Sequence, residues 1–413
     1  MKILYLSSYF GSRVSSSYLG DNRKQKFAEE GFEMYTYAPV PSRGLSKDER
    51  KYFLNNKTLY FHNGKEKVHL FWLFKEGKNT ILRAARYFLQ TVMHFFYGVW
   101  GKDAKKCDVM IISSTPPIQG AMAGLVKKFN KKPIVFSLQD IFPDSLVNNG
   151  LAQKDGFLWK IGRKIENFTY KNADKIVVIS EDFKKNIMAK GVPEDKITVI
   201  YNWVDQDAVV DIPRNKNKLF DKYNLDRDNF YITYNGNIGL SQNIDLLLEV
   251  AGELKSLYQD IHFVLVGEGA YLDKTKQIIK EQNLSNVHLL PFQPYEDISH
   301  VFSLGDVSLV ISKPGTGQAS VPSKTWSIMS ASRPVLANFD ENELKDIIEK
   351  NQTGIFTKAG DKDAFKHSIL TLYNNRELCE TYGKNGRQFV LDNLTKEIGT
   401  QKWVDVLNSV EFS

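Results

Sequence analysis

The chain has 413 residues, 42% of them hydrophobic and 25% charged, with a formal net charge of +7. That is the composition of a soluble globular protein, long enough for two or three domains. Two well-separated cysteines, Cys107 and Cys379, exclude a disulfide framework and a cysteine zinc site, and they suit a reducing compartment.

The charge is unevenly divided. Residues 1–200 carry 33 Lys and Arg against 19 Asp and Glu, whereas residues 201–413 carry 22 against 29. A basic first half suits an anionic partner; scattered solvated lysines are the plainer reading. No nucleic-acid module accompanies the basic residues, so nucleic acid is not expected.

"MKILYLSSYF" has one Lys before a short apolar run ended by Ser7 and Ser8, which predicts a first strand rather than a signal peptide. Further strands are predicted at 32–39, 68–73, 108–113, 133–140, 175–180 and 197–202. A second series follows at 231–239, 262–269, 287–292, 307–312, 334–339 and 354–358. Apolar runs alternating with amphipathic stretches predict parallel α/β sheets. The polar, Asn-rich stretch 203–229 reads as a linker. The expected architecture is therefore two doubly wound Rossmann-like domains, at 1–202 and 230–395, facing across a cleft. A C-terminal helix at 396–413 is expected to pack back on the first domain. Ligands of open α/β sheets bind outside the carboxyl ends of the strands, so the loops there carry the candidate residues.

In the first half, the polar loop after strand one leads to a helix with Gly20 and Arg23 near its start. "SSTPPIQGAMAGL" opens a helix after Pro116 and Pro117. "SLQDIFPDSL" puts Asp140 at a strand end, where a carboxylate positions or deprotonates an acceptor hydroxyl. Asp144, four residues on, reads better as a helix cap.

"LFWLFKEGKNTILRAARYFLQTVMHFFYGVWGKDAKK" (70–106) is the most aromatic stretch, and its densest part is too short to span a bilayer of about 20 residues' depth. Lys75, Lys78, Arg83, Arg86, Lys102, Lys105 and Lys106 flank or interleave it. Two readings stand: a helix lying on an anionic membrane, or a core helix under the sheet.

In the second half, "YNGNIGLSQNIDLLLEVAGEL" runs from a strand through Gly236, Asn237, Ile238 and Gly239 into a helix. Such a turn brings backbone N–H groups and a helix N-terminus to a phosphate, or is simply a tight turn. "FVLVGEG" repeats the pattern with Gly267, Glu268 and Gly269, where the carboxylate suits a hydroxyl or base better than a phosphate. No Cys/His cluster, Walker loop or Gly-x-Ser-x-Gly elbow is present.

These stretches, with "STPP", "QDIFPDSL", "NADKIVVIS" and "VPSKTWSIMSASRPVLA" (321–337), resemble glycosyltransferase family 4 over nearly the whole chain. They are most similar to the bacterial O-antigen and capsule branch of N-acetyl-L-fucosamine transferases. The resemblance implies the GT-B fold and retaining transfer from a nucleotide-sugar donor, a UDP-linked N-acetylated hexosamine being the branch-based expectation. It implies a polyprenyl-diphosphate-linked saccharide acceptor, an anionic membrane surface met through residues 70–106, and a peripheral place at the inner face of the cell membrane. It implies no cofactor and no metal.

The chain departs from the family at its charged positions. The Arg and Lys expected in the diphosphate loop fall on Asn237 and Gln242, and the expected glutamate pair on Ala319 and Ser327. Asp140 stands where many relatives have His. Pro322, Ser323 and Lys324 match the branch's own turn. The expected donor site is therefore Gly236–Gly239, Gln242, Gly267–Gly269, Gly317, Ser323 and Ser327, with Lys324 replacing the missing cations. Asp140 is the expected acceptor-side catalytic residue, and Gly20, Arg23 and Pro117 line the acceptor side. A sugar-nucleotide epimerase, a two-domain binding protein and an inactive homologue are the competing readings.

Overall fold

The structure, a computed structural model, describes residues 1–10, 18–42, 46–77, 79–148, 152–317 and 321–411. Lys78 and Ala319 lie outside the described residues. The chain divides into two compact units, Met1–Tyr201 with Gly399–Ser413, and Asn202–Ile398.

The first unit is built on strands β1 (Lys2–Leu6), β2 (Glu33–Pro39), β3 (Thr58–Phe61), β4 (Glu66–Phe71), β5 (Val109–Ser113), β6 (Ile134–Leu138), β7 (Lys175–Val178) and β8 (Ile197–Val199). They form one sheet in the order β3-β4-β2-β1-β5-β6-β7-β8. Every pairing is parallel except β3 with β4. The inner strands are near-continuous apolar runs because helices cover both faces. Strand β3 escaped the sequence reading: "TLYF" is short and its outer side chains meet solvent, so it lacks that apolar signature.

The second unit carries β9 (Phe230–Asn235), β10 (Ile261–Val266), β11 (Val287–Leu290), β12 (Val307–Ile311), β13 (Val335–Phe339) and β14 (Gly354–Lys358). Its sheet is wholly parallel, in the order β11-β10-β9-β12-β13-β14. This is the doubly wound order whose direction reverses between the first and fourth strands. The reversal falls between β9 and β12, the place at the strands' carboxyl ends where sheets of this order bind their ligands. Phe230, Ile232 and Tyr234 of β9 pack against Leu247, Val250 and Leu254 of helix Ile244–Lys255 to form the core on one face.

The stretch 203–229 is not a free linker but part of this second unit. Trp203, Val204 and Val209 are buried, and Leu219 and Phe220 pack under Tyr231. Its polar residues bond inward instead of to solvent: Asn217 Nδ2 donates to the His300 carbonyl, and Arg214 to the carbonyls of Arg227 and Asn229. Three helices follow residue 360, and the last, Lys396–Asn408, runs into the segment that belongs to the first unit.

Candidate functional site

At the carboxyl end of β9 the chain turns through Gly236, whose φ of +133° few side chains tolerate. The neighbouring turn after β10 passes through Gly267 and Gly269, both also at positive φ. A Cβ on Gly267 would lie 1.9 Å from the Gly236 carbonyl oxygen, and one on Gly269 would lie 2.2 Å from that of Ile238. The glycines thus let two loops pack backbone against backbone.

That packing takes up three of the N–H donors expected for phosphate. Gly236 N–H donates to the Val266 carbonyl, Ile238 N–H to the Glu268 carbonyl and Gly239 N–H to Gln242 Oε1 at 3.2 Å. The helix behind the loop starts only at Ile244. The loop is therefore no open nest of amides, because the β9–β10 ladder continues into it. Gln242, at a position where a cation was expected, braces the loop. Asn237 is exposed and its amide reaches Gln242 only at 3.5 Å. Glu268 is exposed as well.

Lys324 supplies the charge at this place. It opens the short helix Lys324–Ser330, and its Nζ lies 3.4 Å from the position a Cβ of Gly236 would take. The amine sits over the Tyr234 ring, 3.9 Å from its centre, a cation–π geometry. No carboxylate pairs with it among the described residues. Burial of the amine lowers its pKa to about 7. The Tyr234 hydroxyl donates to the Asn237 carbonyl at 2.7 Å, tying ring and loop together.

Ser323 precedes that helix without making a capping bond, and Ser327 is half-buried one turn on. With seven residues the helix offers little dipole, so the lysine rather than the helix end carries the charge. Gly317 completes the loop after β12. Its N–H donates to Asp340 at 2.7 Å, its carbonyl accepts from Asn342 at 3.0 Å, and the Phe339 ring fills the space of a side chain.

A signal missed in the sequence is a set of buried polar groups beneath these loops. Thr233 and Ser308 share a hydrogen bond on one face of the sheet, and Asn235 and Ser312 follow on that face by alternation. Both amide atoms of Asn235, the Ser312 hydroxyl and the Thr325 hydroxyl are buried without a hydrogen-bond partner among the described residues. Orphaned polar atoms are uncommon in native interiors and mark this strand end as specialised.

In the first unit, Asp140 and Pro117 come together with Ser114 and Glu166 around a cavity of about 20 Å³, at the ends of β5 and β6. Asp140 is exposed. Asp144 receives Lys190 at 2.7 Å and Asn186 at 3.2 Å, which makes it a structural group. Gly20 and Arg23 lie elsewhere, on helix Tyr18–Glu29. The Arg23 guanidinium stacks on Trp403 at 4.2 Å and faces Tyr5 at 5.6 Å, so it braces the last helix instead of standing free.

Helix Thr80–Trp100 is continuous, and no described helix is long and apolar enough to cross a membrane. Two of its expected cations are committed. Arg86 is buried and donates to the Phe74 carbonyl, and Arg83 pairs with Glu76. Ile81, Leu82, Phe88 and Trp100 are exposed, so the helix is only partly a core element.

Comparison with known proteins agrees with this layout. Residues 24–208 match the family model described as Glycosyltransferase Family 4, and residues 215–389 match that of Glycosyl transferases group 1. The "Probable glycosyltransferase WbjE" of Pseudomonas aeruginosa is 24% identical over 80% of this chain and 81% of its own length. The capsular polysaccharide biosynthesis glycosyltransferase CapM of Staphylococcus aureus is 24% identical over 70% of this chain and 73% of its own. The crystal structure of Anabaena HepE in complex with UDP superposes with a TM-score of 0.73, at 15% identity, over 99% of both chains. At that identity the likeness is one of fold.

Proposed function

This chain belongs to the glycosyltransferases of the GT-B fold, and on that premise we propose that it moves a sugar with retention from a UDP-sugar to a lipid-linked saccharide during surface-polysaccharide synthesis. The observation that carries the reading is the Lys324 amine, without a carboxylate partner among the described residues, beside Gly236 at the point where the sheet order reverses. The capsule relative and the UDP-bound neighbour support the choice of pathway and nucleotide.

In the reaction the bond from the sugar's anomeric carbon to the diphosphate breaks, and its electron pair goes to the departing phosphate oxygen. A fixed cation at that oxygen lowers the barrier because the charge develops there. Lys324 takes this role, where the family resemblance leads one to expect an Arg and a Lys. Ser327 hydrogen-bonds a ribose hydroxyl in place of a glutamate. The acceptor hydroxyl, oriented by Asp140, bonds to the anomeric carbon and gives its proton to the departing diphosphate. No metal or cofactor is assigned a step. The N-acetylated hexosamine stays the preferred donor sugar.

The polyprenyl-diphosphate acceptor and the membrane are assigned to the first unit, supported by the exposed apolar residues of 70–106 and by the excess of basic residues in 1–200. A hydrolysis screen over UDP-, GDP- and dTDP-sugars, with and without a lipid acceptor extract, tests the function. Turnover is expected with a UDP-sugar and is expected to rise with the extract; silence towards all three nucleotides overturns it. Epimerised donor without transfer points to the epimerase reading instead.

A further inference from the structure

Helices Thr80–Trp100, Gln119–Asn130 and Phe157–Asn172 lie side by side on the first unit. Their outer surface is unusual for a domain bathed in water. Phe88, Phe96, Trp100, Phe129, Phe157 and Leu158 are all more than half exposed. Phe95, Trp100 and Phe129 form one aromatic cluster across two of the helices. The three helices carry eight Lys and Arg and one acid, Glu166. Arg86 is buried and Arg83, Lys127 and Arg163 pair with carboxylates, which leaves Lys128, Lys160, Lys164 and Lys171 exposed without a carboxylate partner among the described residues. Between them runs a groove of about 680 Å³, walled by Phe95, Phe96, Met122, Leu125, Ile165 and Phe168. Its polar lining residues are Thr91 and Lys164. Lys164 is exposed and pairs with no carboxylate among the described residues, and Lys128 lies over the Phe168 ring at 5.4 Å.

We infer that this groove holds the hydrocarbon chain of the lipid-linked acceptor, with Lys164 and Lys128 against its phosphate and the exposed aromatics in the surrounding leaflet. The inference rests on the glycosyltransferase reading for the identity of the chain, and three physical arguments select a hydrocarbon. A peptide in an apolar groove leaves its backbone N–H and C=O groups without partners, which is costly. A second copy of this face brings one cluster of cations against another, which repels. A chain of CH₂ and CH₃ groups needs no polar partner except at its charged end, for which Lys164 on the groove lining and Lys128 over the Phe168 wall supply cations. The groove's volume is within the range of about 300–1,000 Å³ typical of small-ligand sites. The surface therefore extends beyond residues 70–106 to two helices that follow them in the chain.

The probe is farnesyl phosphate, followed by Trp fluorescence and calorimetry, with inorganic phosphate and short-chain phosphatidylglycerol as comparators. UDP binding is measured in parallel and reports on the transferase reading through the other unit. Wild-type protein is expected to bind farnesyl phosphate far better than either comparator. Ala121→Trp, which fills the groove while keeping its charge and apolarity, is expected to weaken that binding at least about tenfold. It is expected to leave UDP binding and sedimentation with phosphatidylglycerol vesicles intact. Leu125→Trp provides the same obstruction from the exposed wall should Ala121→Trp fold poorly. Wild-type affinity in both folded variants overturns the proposal, as does equal binding of phosphatidylglycerol or inorganic phosphate. A dimer abolished by Phe129→Glu also overturns it, in favour of a second copy. Loss of UDP binding in the wild type would instead count against the transferase reading and leave the groove result standing.

Discussion

The Lys324 amine rests 3.9 Å from the centre of the Tyr234 ring, at the end of β9 and with no carboxylate partner among the described residues. An amine held this way stays available to an anion because no salt bridge must break first. Replacing Lys324 with Ala is expected to lower turnover by about 10²–10³, the range for loss of one charge-stabilising donor. Its thermal midpoint is expected to match or exceed that of the wild type, since a buried amine is costly to hold. A Lys324→Ala enzyme with near-normal turnover removes the proposed role.

Donor binding should depend on pH through the same residue. With its pKa lowered to about 7, Lys324 is largely neutral in the free protein above that pH. A bound diphosphate favours the charged form and so raises the pKa. Binding at pH 8 should therefore take up a proton, and affinity should fall as pH rises above 7. Calorimetry of UDP binding in buffers of different ionisation enthalpy reads the uptake directly; none in the wild type contradicts it. In stability the sign is opposite. The unfolded state binds the extra proton between about pH 7 and 10.4, so the burden imposed by Lys324 is greatest below pH 7 and fades towards pH 10. Lys324→Met should stabilise most at the lower pH.

Gly267→Ala places a methyl group against the Gly236 carbonyl at a φ of +150°. Backbone must move, and a cost of about 1–3 kcal/mol is expected in chemical denaturation. Because the displaced backbone is the β9 loop, UDP binding should fall as well. Unchanged UDP affinity would separate this loop from the donor.

Asp140→Ala is expected to reduce transfer to the acceptor by about 10²-fold, the scale for a misplaced reactant, while donor hydrolysis without acceptor is unchanged. Equal loss in both assays would assign Asp140 to the donor or to folding. Asp140 is exposed at its strand end, so little effect on the thermal midpoint is expected.

Lys24 and Glu66 form a buried ion pair in the first unit, with Thr36 donating to the same carboxylate oxygen. Glu66→Gln leaves the ammonium without its counter-charge, and a loss of about 3–5 kcal/mol is expected in urea unfolding. UDP binding by the second unit should persist under native conditions.

Much of the fold was legible because its determinants are local. Apolar runs such as "KILYLSS" and "HFVLVGEG" show strands buried on both faces, and their alternation with amphipathic stretches calls for parallel sheets. The glycine turns after β9 and β10 were visible for the same reason: positive φ is a property of one residue. Strand β3 and the built-in stretch 203–229 were not legible. A short edge strand and a polar segment are recognised only by what they bond to.

The site divides along the same line. The residue string by itself determined where the strand-end loops fall and that Asn237 and Gln242, not cations, follow Gly236; the expectation of a diphosphate loop, with Lys324 in place of its Arg and Lys, came from the resemblance. Only the tertiary structure decided that the N–H groups of Gly236, Ile238 and Gly239 are taken up within the protein, that Lys324 rests on Tyr234, and that Arg23 stacks on Trp403, 380 positions away. It also joined Phe95, Trp100 and Phe129 into one aromatic cluster. Sequence periodicity reports how a side chain is oriented within its own element. Which donors remain free, and which faces meet, depends on contacts between distant residues, and the folded chain alone sets those.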